Sequence, residues 1–412
     1  EADAFTSKFQ QYTGPVMAKG MEDAALYVYN RLISLNEVGG EPERFGVSVP
    51  EFHRLNAERL ECWPHSMLST STHDTKRSED VRARIDVLTE IPGEWRESVV
   101  RWSELNAPHR RDAGGELAPS RNDEYLLYQT LLGAWPLGEL DGKEQEAFRK
   151  RVKEYMEKAM REAQVRTSWT DANEKYEDAV AGFVDALLSE SNPFLREFLP
   201  FQRRVARIGA LNSLSQSLIK LTAPGIPDVY QGNEIWDFSL VDPDNRRPVD
   251  FGLRKRLLAH LRELDPSDVR MLLDEGAWQD GRPKLYLIWK ALRMRSELPE
   301  LFGDGGYVAL HTSGKRREHI VAFARLHGGE VALTVAPRLL AKMMDVEGSL
   351  IPTPEAWEDT SILLPAELAE GTYRNVLTGE KVTTEEHNGQ QSLHVGRLLH
   401  NFPVALLETG DR

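Results

Sequence analysis

Residues 69–84, STSTHDTKRSEDVRAR, place an imidazole, a carboxylate and two cations, His73, Asp74, Lys76 and Arg77, behind a run of small hydroxylated residues. Three kinds of chemistry use such a set. Asp74, or Ser78 just beyond it, can cap a helix starting near Glu79, with Glu79 and Asp80 at its positive end. That accounts for the acidic start and leaves the neighbouring His and Lys unexplained. Adjacent His and Asp can also ligate a metal, provided further ligands converge on the ion, and His53 and His65 are the candidates to recruit. A position at a strand end rather than within a helix speaks against that use. The third chemistry is sugar recognition. An aspartate accepts hydrogen bonds from two adjacent ring hydroxyls while a histidine donates, and such bonds strengthen as the ring flattens toward an oxocarbenium ion.

Two other stretches carry suitable residues. TAPGIPDVYQGNEIWDFSLVDPDNRRPVDF, residues 222–251, holds Asp237, Asp242, Asp244, Arg246, Arg247 and Asp250. Such a run can be a solvated turn knit by ion pairs. With Tyr230 and Trp236 as stacking faces, and Glu234 and the aspartates as hydroxyl acceptors, it can equally be a sugar-binding loop; Trp236 suits core packing as well. In VMAKGMEDAALY, residues 16–27, Lys19 reads as a ligand contact at a strand end, while Glu22 and Asp23 read as partners of a helix dipole.

These side chains need a scaffold, and the sequence outlines one. Residues 1–92 read as strand–helix units: a short apolar segment closed by Gly20, a helix with Ala24, Ala25, Tyr27, Leu32 and Ile33 inward and a Gly-Gly stop, then a helix, a proline break and a strand at 66–71. Residues 93–200 show four amphipathic helix patterns without a strand signal, and their loop APHRRDAGGELAPS reads as mobile. Residues 201–302 return to α/β: a long helix, a Pro-Gly turn into a short buried strand, and two more helices. Residues 303–412 are short alternating strands, including a hairpin around Gly328-Gly329, and read as a β-sandwich. Strands followed by helices, with polar loops after the strands, suggest part of a parallel α/β barrel, where chemistry sits at the C-terminal strand ends.

Totals narrow the function. The chain has 412 residues, 41% hydrophobic and 28% charged, with a net charge of -14, which disfavours nucleic acid and anionic membrane surfaces as partners and suits a neutral ligand. No apolar run approaches the length of a membrane span. The one cysteine, Cys62, excludes an internal disulfide framework; it reads as a buried thiol in a reducing, cytoplasmic compartment. No targeting segment is visible, and the start at Glu1 reads as that of a fragment.

PVMAKGMEDAALYVY, STSTHDTKRSEDVRAR and TAPGIPDVYQGNEIWDFSLVDPDNRRPVDF, in this order, resemble segments of the maltooligosyltrehalose synthase family of the α-amylase superfamily. The resemblance covers essentially the whole chain. It implies an α/β fold: the C-terminal part of a (β/α)8 barrel, about the last three strand–helix units, with a helical insertion and a C-terminal β-sandwich. It implies an intramolecular transglucosylation that turns the reducing-end α-1,4 link of a maltooligosaccharide into an α,α-1,1 link. Asp74 would be the carboxylate that stabilises the transition state and His73 its neighbouring donor. Lys76 and Arg77 would shape the acceptor subsite, with Lys19, Tyr230, Glu234, Trp236, Asp242, Asp244, Arg246 and Arg247 as further substrate contacts. No metal or organic cofactor is implied. The family's nucleophile and general acid lie on earlier barrel strands and match nothing here, so the chain would need the N-terminal barrel half of its own protein and be inactive without it. A maltooligosyltrehalose trehalohydrolase would be its functional partner. Other α-amylase-type glucanotransferases or hydrolases, and a non-catalytic carbohydrate-binding fragment, are the alternatives.

Overall fold

The computed structural model describes residues 2–344, 350–369, 372–387 and 389–410, which divide into two compact units. The first comprises Glu1–Phe45, His73–Ala206 and Phe238–Arg247. Its helices start where side chains take up the unpaired backbone N–H groups of a first turn. Ser78 accepts from Val81 ahead of Glu79–Asp86, and Ser120 accepts from Asp123 ahead of Arg121–Ala134. Asp141 and Glu144 form a reciprocal capping box at Gly142–Ala163, and Asn173 caps Glu174–Leu187. Capping at Ser78, not Asp74, leaves Asp74 outside the helix. The apolar faces close over Trp102, which is fully buried and meets Tyr128, Phe194 and Phe198 edge-on. Gly133 lets two of these helices approach closely: a Cβ there would come within 2.7 Å of Val81.

The local structure of this unit differs from expectation around Lys19, and the loop of its insertion carries a short hairpin. The segment around Lys19 is helical, not extended: an α-helix Ala2–Met17 continues into a π-helical stretch Ala18–Ala25 and a last turn Leu26–Val28. Among the described residues no strand pairs with it, and a helix satisfies its backbone without one. The helix expected to run on to Gly39-Gly40 ends at Val28; Tyr27, Leu32 and Ile33 are buried, the last two beyond its end, and Ala25 is exposed. The loop read as mobile folds into a small hairpin, Arg111–Asp112 against Leu117–Ala118, held by Arg110 donating to the Pro119 carbonyl and by Arg166 pairing with Glu116.

The second unit comprises Gly46–Thr72, Arg207–Asp237 and Pro248–Arg412. Its α/β part contains the helices Val49–Cys62, Phe251–Glu263 and Arg282–Glu297, together with the C-terminal part of Pro193–Thr222. The strands Met67–Leu68 and Ile226–Pro227 pair side by side and parallel, although the whole helical insertion separates them in sequence. The first is shorter than the expected 66–71; the second is short as expected, but Ile226 is exposed rather than buried. Cys62, the last residue of its helix, is exposed, because the inward face of that helix is carried by His53 and Asn56.

The β-rich tail forms one antiparallel nine-stranded sheet. From edge to edge it runs Lys381–Thr383, Thr372–Asn375, Ala405–Thr409, Glu330–Pro337, Ile320–His327, Gly306–Ser313, Ser361–Leu363, Gln390–His394 and Glu385–His387. The edge strands are consecutive in the chain, with only Thr384 between them, so the sheet curls until its two margins meet. Gly306–Ser313 turns one corner: Gly306–Leu310 pair with one neighbour and His311–Ser313 with the other. The expected two-layer sandwich is thus a single nearly closed sheet. The expected hairpin is present, with His327 opposite Glu330 across Gly328-Gly329.

Candidate active site

In the first unit, two loops expected to carry chemistry are stitched together. Asn245 donates from Nδ2 to the His73 carbonyl at 3.0 Å, Ser78 N–H donates to the Ser239 carbonyl at 3.0 Å, and Arg77 bridges to Leu240. The backbone of the His73 loop is therefore fixed from behind, while the His73 and Asp74 side chains are 56% and 68% exposed. The His73 imidazole Nε2 lies 3.4 Å from Asp74 Oδ2. A donor and an acceptor thus stand side by side on an anchored loop, facing solvent.

Lys76 and Arg77 point the other way, contrary to their expected roles as substrate contacts. Lys76 is 5% exposed, with its ammonium 2.9 Å from Asp23 Oδ1 and above the Tyr27 ring. Arg77 is 1% exposed, and its guanidinium donates to the carbonyls of Ile33 (3.1 Å) and Asn36 (3.4 Å) and to the Tyr155 hydroxyl (2.6 Å). A buried guanidinium is tolerated when its donors are met, as three of these are. Below them lies Glu37, which sequence reasoning missed. Its carboxylate accepts from the Lys76 N–H at 2.8 Å and the Arg77 N–H at 3.4 Å, and so holds the backbone that carries Asp74. Nothing in its type or spacing marks it, since it precedes Gly39-Gly40 as an ordinary helix-end residue would.

Lys19 is exposed and pairs with Asp23 at 2.5 Å, so Asp23 bridges Lys19 and Lys76. Burial works to raise the Asp23 pKa, but hydrogen bonds from the two lysines hold it below the ordinary value. The same contact with Asp23 raises the Lys19 pKa. Glu22 accepts from the Gly39 N–H, a structural contact.

On the second loop, Asp244 is an internal anchor rather than a ligand contact. It receives Arg151 through Nε (2.9 Å) and Nη2 (2.8 Å), and the Leu240 N–H at 2.8 Å. Burial would raise its pKa, but the Arg151 hydrogen bonds and charge, with Arg247, hold it below normal. Asp242 pairs with Arg246 at 2.5 Å, and Arg247 reaches Asp244 at 2.9 Å; both arginines are half exposed. Of the residues on this loop, Asp242, Arg246 and Arg247 present side chains outward.

The second unit holds the remaining candidates. Glu234 pairs with Arg254 at 2.8 Å and accepts from the Gly232 N–H at 3.1 Å, which ties its carboxylate into the turn. Trp236 donates from its indole N–H to the Trp278 carbonyl at 2.8 Å and meets the Trp278 ring edge-on. Of its two readings, packing is the one the contacts describe. Tyr230 is half-buried, its carbonyl accepting from the Asn233 N–H at 3.0 Å. His53 hydrogen-bonds Tyr307 at 2.7 Å and His65 is exposed; among the described residues no three His, Cys, Asp or Glu side chains are grouped to hold a metal ion. A cavity of about 480 Å³ in the β-domain is walled by Lys381, Val382, His394, Arg397 and His400 among others, none of them an expected site residue. No helix among the described residues is long and apolar enough to cross a membrane.

No family model matches the chain. It is 38% identical over 400 residues, 97% of the chain and 45% of the relative, to a Mycobacterium tuberculosis protein provisionally named maltooligosyl trehalose synthase. The solved maltooligosyltrehalose synthase of Arthrobacter ramosus superposes with a TM-score of 0.79 at 35% identity, covering 98% of this chain and 46% of that one. A hypothetical maltooligosyl trehalose synthase of Sulfolobus tokodaii superposes with a TM-score of 0.72 at 31% identity, covering 98% and 47%. The chain spans about half the length of these relatives. Over that half it is similar to them in sequence and in fold.

Proposed function

We propose that the chain is the C-terminal part of a maltooligosyltrehalose synthase, and that its parallel strand pair belongs to a (β/α)8 barrel completed by the rest of the protein. The reaction moves one bond. The α-1,4 link at the reducing end breaks, the released glucose is retained and turned over, and its anomeric hydroxyl attacks the anomeric carbon it left. An α,α-1,1 link forms with no net use of water. Retention requires a carboxylate nucleophile and a carboxylic acid that protonates the leaving oxygen and later takes the attacking proton. Both would come from the rest of the protein.

This chain's own contribution is Asp74 and His73. A carboxylate accepting from two ring hydroxyls stabilises the charge that develops as the ring flattens, and the neighbouring imidazole donates to an adjacent oxygen. The observation that carries this reading is that both side chains project to solvent from a loop whose backbone is fixed by Asn245 and Glu37. Lys76 and Arg77 serve by holding that loop. Lys19, Tyr230, Asp242, Arg246 and Arg247 are the outward or half-buried groups offered to further sugar units, while Glu234, Trp236 and Asp244 hold the loops that carry them. The chemistry asks for no metal or organic cofactor. A cytoplasmic setting and a trehalohydrolase acting on the product belong to the same proposal.

The test is product analysis of the complete protein on maltopentaose. A trehalose-ended pentasaccharide supports the reading. Shortened maltooligosaccharides with free glucose would instead indicate an α-amylase-type hydrolase, and binding without turnover a carbohydrate-binding protein.

A further inference from the structure

The helix Gly142–Ala163 belongs to the helical insertion, not to the loops that would handle sugar, yet one of its faces ends on those loops. Arg151, Tyr155 and Lys158 follow at intervals of four and three residues, the spacing that stacks side chains along one helix face. Arg151 grips Asp244 through two hydrogen bonds and donates to the Phe238 carbonyl at 3.0 Å. Lys158 donates to the Asp242 carbonyl at 2.6 Å. Tyr155, a buried residue, receives Arg77 at 2.6 Å, three residues beyond Asp74. All of these contacts lie inside the first unit, so the helix holds the 73–77 loop and the 238–247 loop together.

We infer that this helix face is a clamp that governs what happens to the released glucose, with Lys158 as its positioning residue. The inference rests on the transglucosylation reading above. After the first step, the glycosyl group is bonded to the nucleophile carboxylate. That ester bond breaks by attack of either of two oxygens. If the anomeric hydroxyl of the retained glucose attacks, an α-1,1 bond forms and its proton passes to the acid/base carboxylate. If water attacks, the same proton transfer leaves a shortened chain and free glucose. The choice depends on holding the glucose hydroxyl within about 3–3.5 Å of the anomeric carbon, and a displacement of about 1 Å can cost on the order of 10²-fold. Lys158 and Arg151 bond to the carbonyls of Asp242 and Phe238, so they place the loop whose Asp242, Arg246 and Arg247 side chains face outward. Slackening that loop releases glucose to solvent and admits water.

The complete protein is assayed on maltopentaose as wild type, Lys158→Met and Lys158→Arg, with trehalose-ended product and free glucose measured in each. Lys158→Met removes one charge-assisted hydrogen bond and is expected to raise the ratio of glucose to trehalose-ended product about tenfold. KM should stay within about twofold of wild type, and Lys158→Arg should recover most of the loss. Tyr155→Phe, which keeps the ring in the core and removes the acceptor for Arg77, is read in the same way should Lys158→Met fail to fold. An unchanged product ratio in a folded variant overturns the inference, and so does a fall in kcat with the ratio intact, because a merely structural residue would give that result. A wild-type protein that yields no trehalose-ended sugar overturns the underlying reading, a result distinct from both.

Discussion

Asp244→Asn tests the anchoring of the second loop, because the structure fixes both the size of the effect and its dependence on pH. The Asp244 carboxylate accepts two bonds from Arg151 and one from the Leu240 N–H, with Arg247 nearby, and its side chain is 15% exposed. An asparagine offers one oxygen. Either the paired Arg151 contact is broken or the Leu240 N–H is left buried without an acceptor, and the guanidinium loses its anion in both cases. Charge-assisted bonds of this kind contribute about 1.5–3 kcal/mol each, and stranding a partner adds to the loss, so a destabilisation of about 2–4 kcal/mol is expected at pH 7. The native Asp244 pKa lies below the ordinary 3.8. The carboxylate's contribution is therefore complete above 3.8 and is lost as pH falls through the native pKa, where a protonated aspartate resembles asparagine. Urea unfolding of wild type and variant at a series of pH values from 7 downward should show a gap that closes below pH 3.8. Equal stabilities at pH 7, or a gap that stays constant through the acid range, would refute the assignment of Asp244 as the anchor.

Other outcomes follow from the same contacts. In the complete protein, Asp74→Asn should lower kcat by about 10²-fold or more with a smaller change in KM, measured on maltopentaose; a raised KM with kcat unchanged would place Asp74 in ground-state binding. Burial, then the nearby His311, depresses the His53 pKa below 6.5, so the native state resists protonation. Stability should be complete above pH 6.5 and decline as pH falls below it, until native His53 itself protonates; thermal melts of His53→Gln should show a shallower slope over that window. Gly225 sits at φ +126° with Leu68 Cγ only 2.7 Å from a would-be Cβ, so Gly225→Ala should cost roughly 2–5 kcal/mol by forcing apart the parallel strand pair, read by urea unfolding.

Much of the scaffold was legible because its signals are local. Ser78 was one of two candidate caps for the helix at Glu79, amphipathic runs outlined the helices at Arg121 and Gly142, and Gly328-Gly329 between alternating residues marked a hairpin. The segment from Gly14 to Gly20 was misread as a strand because extended backbone needs a partner elsewhere, and a window of residues does not reveal whether one exists. The same reasoning explains the two-residue lengths of Met67–Leu68 and Ile226–Pro227, which pairing rather than composition sets.

The candidate site divides along the same line. His73 and Asp74 could be singled out because their proposed role rests on residue type, and the structure leaves both side chains exposed. Their support could not, because it runs from side chains to backbone: Glu37 to the amides of Lys76 and Arg77, Asn245 to the carbonyl of His73, Lys158 to the carbonyl of Asp242. A backbone acceptor is present at every position and so leaves no trace in residue type. Lys76 and Arg77 deceived for the complementary reason. A cation in a reactive-looking cluster signals ligand contact only if its charge reaches solvent, and here Asp23, Tyr155 and two carbonyls take it up inside the protein. Motif residues in a loop of this kind are therefore better sorted by where their hydrogen bonds end than by their charge: those that end inside the protein set geometry, and the exposed ones are the candidates for ligand contact.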